Sequence, residues 1–470
     1  MSRNFHRVLL LFSCTFIGLI NGTLYLYSSY SPQLASNLNY SVSESSIIAL
    51  SGSLGLAIAG PIAGIIVDKK GYTSALLIGG LSIIFAYIGL KNQFDNKWSS
   101  VEFSSVCLFL VGSGSTFVNS ACLKCSAVSF PSIRATAASL SLALYGLSAM
   151  FYSVIASVFY PGDTSGFFGF LVLSIILIFL TCFPSIYLAD CEHKLKNASN
   201  FPKPKASTPV PQGSASSDST LALFMDYRFW LLFIITGALA SLGQMYIYSV
   251  GYIVKAILSK ATTAKSDFDA LSILIQQEQQ YQVGLLSIAN CFGRLSAGIF
   301  GDIVTQSFHK PKTLLLFIPA LGMTTCQVLA YGITGCSELQ VNSFLTGYFY
   351  GFTFCIMPII TGDVFGMPRF SFNWGVIAMS PIPLSYYFTK LFGKVYDLNS
   401  VVNRTISGDS LVCTLGNKCY NSIFHITLGV SIVATIIVLV LNAGDLVCRR
   451  RKITSLPLAS PSNLFNEKVN

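Results

Sequence analysis

The chain has 470 residues, 53% of them hydrophobic and only 10% charged, against roughly 25% charged in an average soluble domain. That composition cannot supply a water-soluble surface, and apolar runs of about 20 residues, each long enough to cross a hydrocarbon core as a helix, recur along its length. The net charge of +10 does not indicate nucleic acid, because the charges lie almost wholly between the apolar runs and so mark membrane-flanking loops.

A backbone crossing lipid must satisfy its own hydrogen bonds, so the runs are helices. Twelve spans are predicted, at 7–28, 46–67, 73–90, 104–123, 136–159, 166–188, 229–253, 282–301, 313–332, 341–361, 374–392 and 423–443. The first follows Arg3 and Arg7 as a signal peptide would. It then continues through Tyr25, Tyr27 and Tyr30 with no small-residue cleavage site, and is read as a retained helix. Helix one also carries Asn21, and the loop after it carries the glycosylation sequon Asn39-Tyr40-Ser41. Helix two ends in Gly64, Asp68, Lys69, Lys70 and Gly71.

After helix six comes FPKPKASTPVPQGSASSDST, too rich in Pro, Ser and Lys to pack, which divides the chain into six spans on each side. The expected organisation is a six-helix half over 1–189, a flexible linker over 190–228, a second six-helix half over 229–444 and a tail over 445–470. In helix seven, Gln244 and Tyr248 stand four apart on one face. The following loop, about 255–281, contains QQEQQYQ and reads equally as a helical extension or a polar spacer. Helix eight carries Asn290, Arg294, Gly298 and Asp302, the last two repeating the Gly-x-x-x-Asp spacing of helix two at an offset near half the chain. Parallel repeats of this kind characterise transporters whose substrate site lies near the midplane between the halves.

Between helices eleven and twelve lie the sequon Asn403-Arg404-Thr405 and the pair Cys413 and Cys419, which can form a disulfide if that loop faces an oxidising lumen. Asn197-Ala198-Ser199 is a third sequon, in the linker. With the N-terminus in the cytosol, Lys and Arg favour the cytosolic side by about two to one, led by Arg449, Arg450, Arg451 and Lys452. Both termini and the linker are then cytosolic, and Asn403 and Asn39 are the glycosylation candidates.

The stretch GIIVDKKGYT resembles the hallmark of the major facilitator superfamily, Gly-x-x-x-Asp-Arg/Lys-x-Gly-x-Arg/Lys, with Thr73 in the final basic position. In physical terms Gly64 permits close helix approach, Asp68 is expected to cap the following turn, and Lys69 anchors at the headgroups. LYGLSAMFYS (144–153), within a nodulin-like first half, and WGVIAMSPIPLSYYFTKLFGKVYD (374–397) resemble fungal monocarboxylate-transporter homologues. The resemblance implies an all-α, twelve-helix fold in two pseudo-repeats. It also implies secondary transport of a small solute by alternating access and a vacuolar membrane location, in preference to the plasma membrane. The expected partners are the lipid bilayer and a small-molecule solute, with no nucleic acid, in a monomer.

Ionisable groups inside a span are functional candidates by default. Arg294 lies two turns from Asp302, roughly 12 Å deeper, where its guanidinium could fork onto a carboxylate. Alternatively it snorkels or pairs with loop acids. Proton-coupled monocarboxylate carriers place an Asp four residues before such an Arg and a Lys in helix one. Here the first position is Asn290, and helix one offers Asn21 and Tyr25. The substrate candidates are therefore Arg294, Asn290, Asn21, Tyr25, Gln244 and Tyr248, with no titratable partner beside the arginine. The four histidines are scattered, and no nucleotide, zinc or hydrolase motif is present, so no enzyme, cofactor or metal is expected. The competing reading is a non-transporting receptor or scaffold on the same fold.

Overall fold

A computed structural model describes residues 3–40, 42–160, 162–199, 220–261, 268–405 and 408–454. Helix one is a composite of Arg3–Phe16, Gly18–Asn21, a 3-10 segment Gly22–Leu26 and Tyr27–Leu38. Helices two to six are Val42–Lys70, Tyr72–Asp95, Val101–Ser129, Arg134–Phe159 and Thr164–Ser199. After a short turn of helix, Thr220–Met225, helices seven to ten are Tyr227–Ala261, Phe268–Gln306, Phe317–Gly332 and Cys336–Phe365. Helix eleven is split into Phe370–Ile377 and Pro381–Leu398, and helix twelve is Asn421–Thr454.

Among the described residues, eleven of these stretches are long and apolar enough to cross a membrane. The twelfth crossing is helix eleven, divided at Ala378–Ser380 because Pro381 has no amide hydrogen to continue the ladder. The membrane region is all-α and matches the twelve-helix reading. Outside it, β1 (Val401–Thr405) and β2 (Gly408–Val412) form an antiparallel hairpin. Cys413 and Cys419 are disulfide-bonded at its foot.

Three boundaries differ from the expected ones. Helix six continues to Ser199, past the start assigned to the linker, and residues 200–219 lie outside the described residues. QQEQQYQ belongs to helix eight, which begins at Phe268. Helix twelve runs on to Thr454, into the basic tail. In each case the polar residues prolong a helix already nucleated in the apolar run, and propagation is easier than nucleation.

With twelve crossings, both termini and the loops after even-numbered helices share one face, here termed the linker face; the other is the hairpin face. Helices one to six enclose one apolar core. A second core draws on helices seven to twelve together with Leu123, Ala135, Ala138 and Leu142 of the first half. The halves are thus packed together on the linker side, helix eight along helix five and the first segment of helix eleven along helix two.

Candidate functional site

The linker face is closed by two equivalent contacts. The Asp68 carboxylate, on helix two, accepts the amide hydrogens of Ser371 (3.2 Å) and Phe372 (2.9 Å), the first turn of helix eleven. The Asp302 carboxylate, on helix eight, accepts those of Ala135 (3.1 Å) and Thr136 (2.8 Å), the first turn of helix five. Helix N-termini carry unpaired amides and the positive end of the helix dipole, so a carboxylate is the fitting partner. Each aspartate reaches across to the opposite half.

Asp68 therefore does not cap the turn after its own helix. That turn is held by Asp190 of helix six, which accepts the amides of Tyr72 and Thr73 and, at 2.7 Å, the Thr73 hydroxyl. Gly71 makes the bend with φ +97°, a conformation side chains resist. The same contacts account for Thr73 in the position that is basic in the hallmark, since a hydroxyl serves Asp190 where Lys194 already supplies the cation at 2.8 Å.

The glycines set how closely the halves approach. A β-carbon on Gly64 would overlap the Ser371 carbonyl and the Phe372 backbone, and one on Gly298 would overlap the Ser139 side chain and stand 2.7 Å from the Ala135 carbonyl. Lys69 is exposed, as a headgroup anchor requires. Lys124 of helix four, absent from the sequence candidates, pairs with Asp68 at 2.6 Å, and both side chains are under 10% exposed. Its only signal was an ammonium at the end of an apolar run. Asp363 of helix ten takes Lys312 at 2.8 Å and Arg134 of the other half at 3.7 Å, a further tie on the same face.

Two turns along helix eight from Asp302, Arg294 neither snorkels nor pairs with loop acids among the described residues. It is 4% exposed. Its Nε donates to Asn290 Oδ1 at 2.7 Å, and one terminal nitrogen donates to the Leu142 carbonyl of helix five at 3.2 Å. The guanidinium carbon lies 5.1 Å from the centre of the Tyr145 ring, also on helix five, a cation–π arrangement. No carboxylate among the described residues pairs with it. Asn290 is wedged beside Gly146 and Gly351, which leave room for its amide.

Tyr25 meets Tyr145 edge to face with centroids 5.9 Å apart. Tyr248 of helix seven is 46% exposed. Tyr25, Tyr248 and Tyr350 lie near one another, and Gln244 lies beside the Tyr350 hydroxyl. The structure thus gathers Arg294, Asn290, Tyr25, Tyr248 and Gln244 around Tyr145 and Tyr350, two residues that sequence reasoning did not select. Asn21 is separate: it is fully buried, and its amide finds no partner among the described residues. Asn39 is exposed in the turn after helix one, with φ 55°. The side chains of Asn197 and Asn403 lie outside the described residues.

Comparison with known proteins agrees with this architecture. Residues 7–203 match the family model described as Nodulin-like. The uncharacterized membrane protein YMR155W of Saccharomyces cerevisiae is 26% identical, over 86% of this chain and 89% of its own. The probable transporter MCH1 of the same yeast is 25% identical over 86% of each chain. Among solved structures, the major facilitator superfamily transporter FucP in its outward conformation superposes with a TM-score of 0.58 at 15% identity, over 92% of this chain and 98% of that one.

Proposed function

We propose that this chain is a secondary transporter of the major facilitator superfamily, carrying a small organic anion across the vacuolar membrane by alternating access. One observation carries the substrate class: a buried guanidinium cation, held among the described residues by neutral groups only, sits within a membrane-spanning helix beside Tyr145 and Tyr350. Such a charge is costly there, and an entering carboxylate would neutralise it while forming charge-assisted hydrogen bonds. Arg stays protonated at biological pH and Asn290 does not titrate, so helix eight supplies no proton relay. The vacuolar location rests on the family resemblance.

Uptake of lactate or pyruvate into proteoliposomes at fixed membrane potential, with and without a pH gradient, tests this reading. Arg294→Lys keeps the charge but loses the fork, and should weaken carboxylate affinity by on the order of 1–3 kcal/mol. Asn290→Asp places an acid one turn away and should introduce pH dependence absent from the parent. Strong pH-gradient drive in the parent would exclude the relay-free mechanism. No carboxylate flux at all would favour a receptor on the transporter fold.

The proposed orientation has the linker face in the cytosol, in keeping with the basic residues on that side. Single-sequon variants then give an expected pattern: Asn403, on β1 of the hairpin, gains glycan and Asn197 does not, read as an endoglycosidase-sensitive mass shift. Glycan on Asn197 would invert the topology.

A further inference from the structure

Arg294 belongs to the second half, yet two of its three neighbours belong to the first. Leu142 supplies a carbonyl and Tyr145 a ring face, both on helix five, about two turns into the membrane from the Asp302 contact with Ala135 and Thr136. Alternating access requires the halves to part on the linker side, and helices five and eight are one of the two pairs that must separate. When they separate, the guanidinium leaves both the carbonyl and the ring and keeps Asn290 of its own helix. Beyond Arg134 at its first turn, which faces Asp363, helix five is uncharged from Ala135 to Phe159. These two contacts belong to the linker-closed state alone; once that side opens, entering water takes their place at the guanidinium.

From this geometry we propose that Arg294, bonded to helix five, is an anion-operated latch. The unloaded carrier rests closed on the linker face, and an anion arriving from the hairpin face releases the latch by taking over the guanidinium's hydrogen bonds. The inference rests on the anion reading given above and extends it to kinetics. The unloaded return from linker-open to linker-closed regains the carbonyl and the ring and is fast, whereas the unloaded opening loses them and is slow. Transport into anion-free vesicles or compartments consequently has a higher maximal rate from the hairpin face to the linker face than in reverse. Because the gradient alone sets the equilibrium, apparent affinity must differ between the faces by the same factor and in the compensating sense.

The latch can be tested without knowing the natural solute. Ser371 is buried at the helix two contact, and its hydroxyl finds no hydrogen-bond partner among the described residues, so Ser371→Cys is close to isosteric and reports opening of the linker face to a membrane-impermeant maleimide. The background carries Cys191→Ser and Cys448→Ser. Without anion, labelling should be slow with Arg294 present and at least tenfold faster in Arg294→Gln, with Tyr145→Leu intermediate. Monodisperse elution of each purified variant excludes misfolding as the cause. An unchanged labelling rate in both Arg294→Gln and Tyr145→Leu overturns the latch, whatever the protein transports. Lactate or pyruvate should accelerate labelling of the parent and leave Arg294→Gln unaffected. Acceleration by the variants but by no carboxylate would leave the latch standing and sink the anion reading and anion release together.

Discussion

Asp68→Asn should slow transport of any solute while changing apparent affinity little, because Asp68 lies in the linker-face closure and bonds to Ser371, Phe372 and Lys124, none of them in the tyrosine cluster around Arg294. The carboxylate holds two amides of helix eleven at 3.2 and 2.9 Å. Hydrogen bonds to a charged acceptor contribute on the order of 1.5–3 kcal/mol each, and an amide oxygen keeps only part of that. The closed state is destabilised relative to the open one, so the carrier should dwell with its linker face parted. A second cost also falls on the closed state: Lys124, 7% exposed and 2.6 Å from Asp68, is left there as a buried cation without its anion. Breaking such a pair from one side costs about 3–5 kcal/mol. Adding Lys124→Met to Asp68→Asn should therefore restore thermal stability without restoring flux, since the methionine removes the stranded charge but not the lost amide contacts. Recovery of both together would mean that the slow flux was only a folding defect. A large affinity change at unaltered maximal rate would place Asp68 at the substrate instead.

Gly298→Val should abolish flux in a protein that still folds. The added atoms would have to share space with the Ser139 side chain and the Ala135 carbonyl, which stands 2.7 Å from the position of the first added carbon. Overpacking of this kind costs about 1–3 kcal/mol when neighbours can shift. Here the clashing groups belong to helix five of the other half, so the cheapest relief is to leave the two helices apart. The helix then packs normally within its own half while the linker face cannot close. Flux below a tenth of the parent, with Ser371→Cys labelled rapidly with or without anion, is the expected result. Gly429→Val is the matched control, because nothing lies within 4 Å of a β-carbon there, and it should transport as the parent does. Parent-like flux in Gly298→Val would show that helices five and eight need not approach this closely during the cycle.

Composition and the length of its apolar runs by themselves determined that this chain crosses a membrane as helices, since no other backbone satisfies its polar groups in lipid. The repeated Gly-x-x-x-Asp spacing, at Gly64 and Asp68 and again at Gly298 and Asp302, was likewise legible, because each copy is local to one helix end. Its purpose was not. Asp68 meets amides 303 and 304 residues away, and Asp302 meets amides 167 and 166 residues away, so a reading confined to neighbours assigned Asp68 to the adjacent turn. Asp190 holds that turn, and only the packing of helix six against helix three reveals it. The fate of Arg294 was decided in the same way. Sequence places the guanidinium at mid-membrane depth and puts Asn290 one turn before it, but whether it reaches water, an acid or the other half depends on which helix lies opposite. Helix five lies there, and it presents a carbonyl and an aromatic face. Periodicity and spacing record what a helix repeats along itself, whereas the partner of a side chain pointing away from its helix is set by how the two halves are packed against each other.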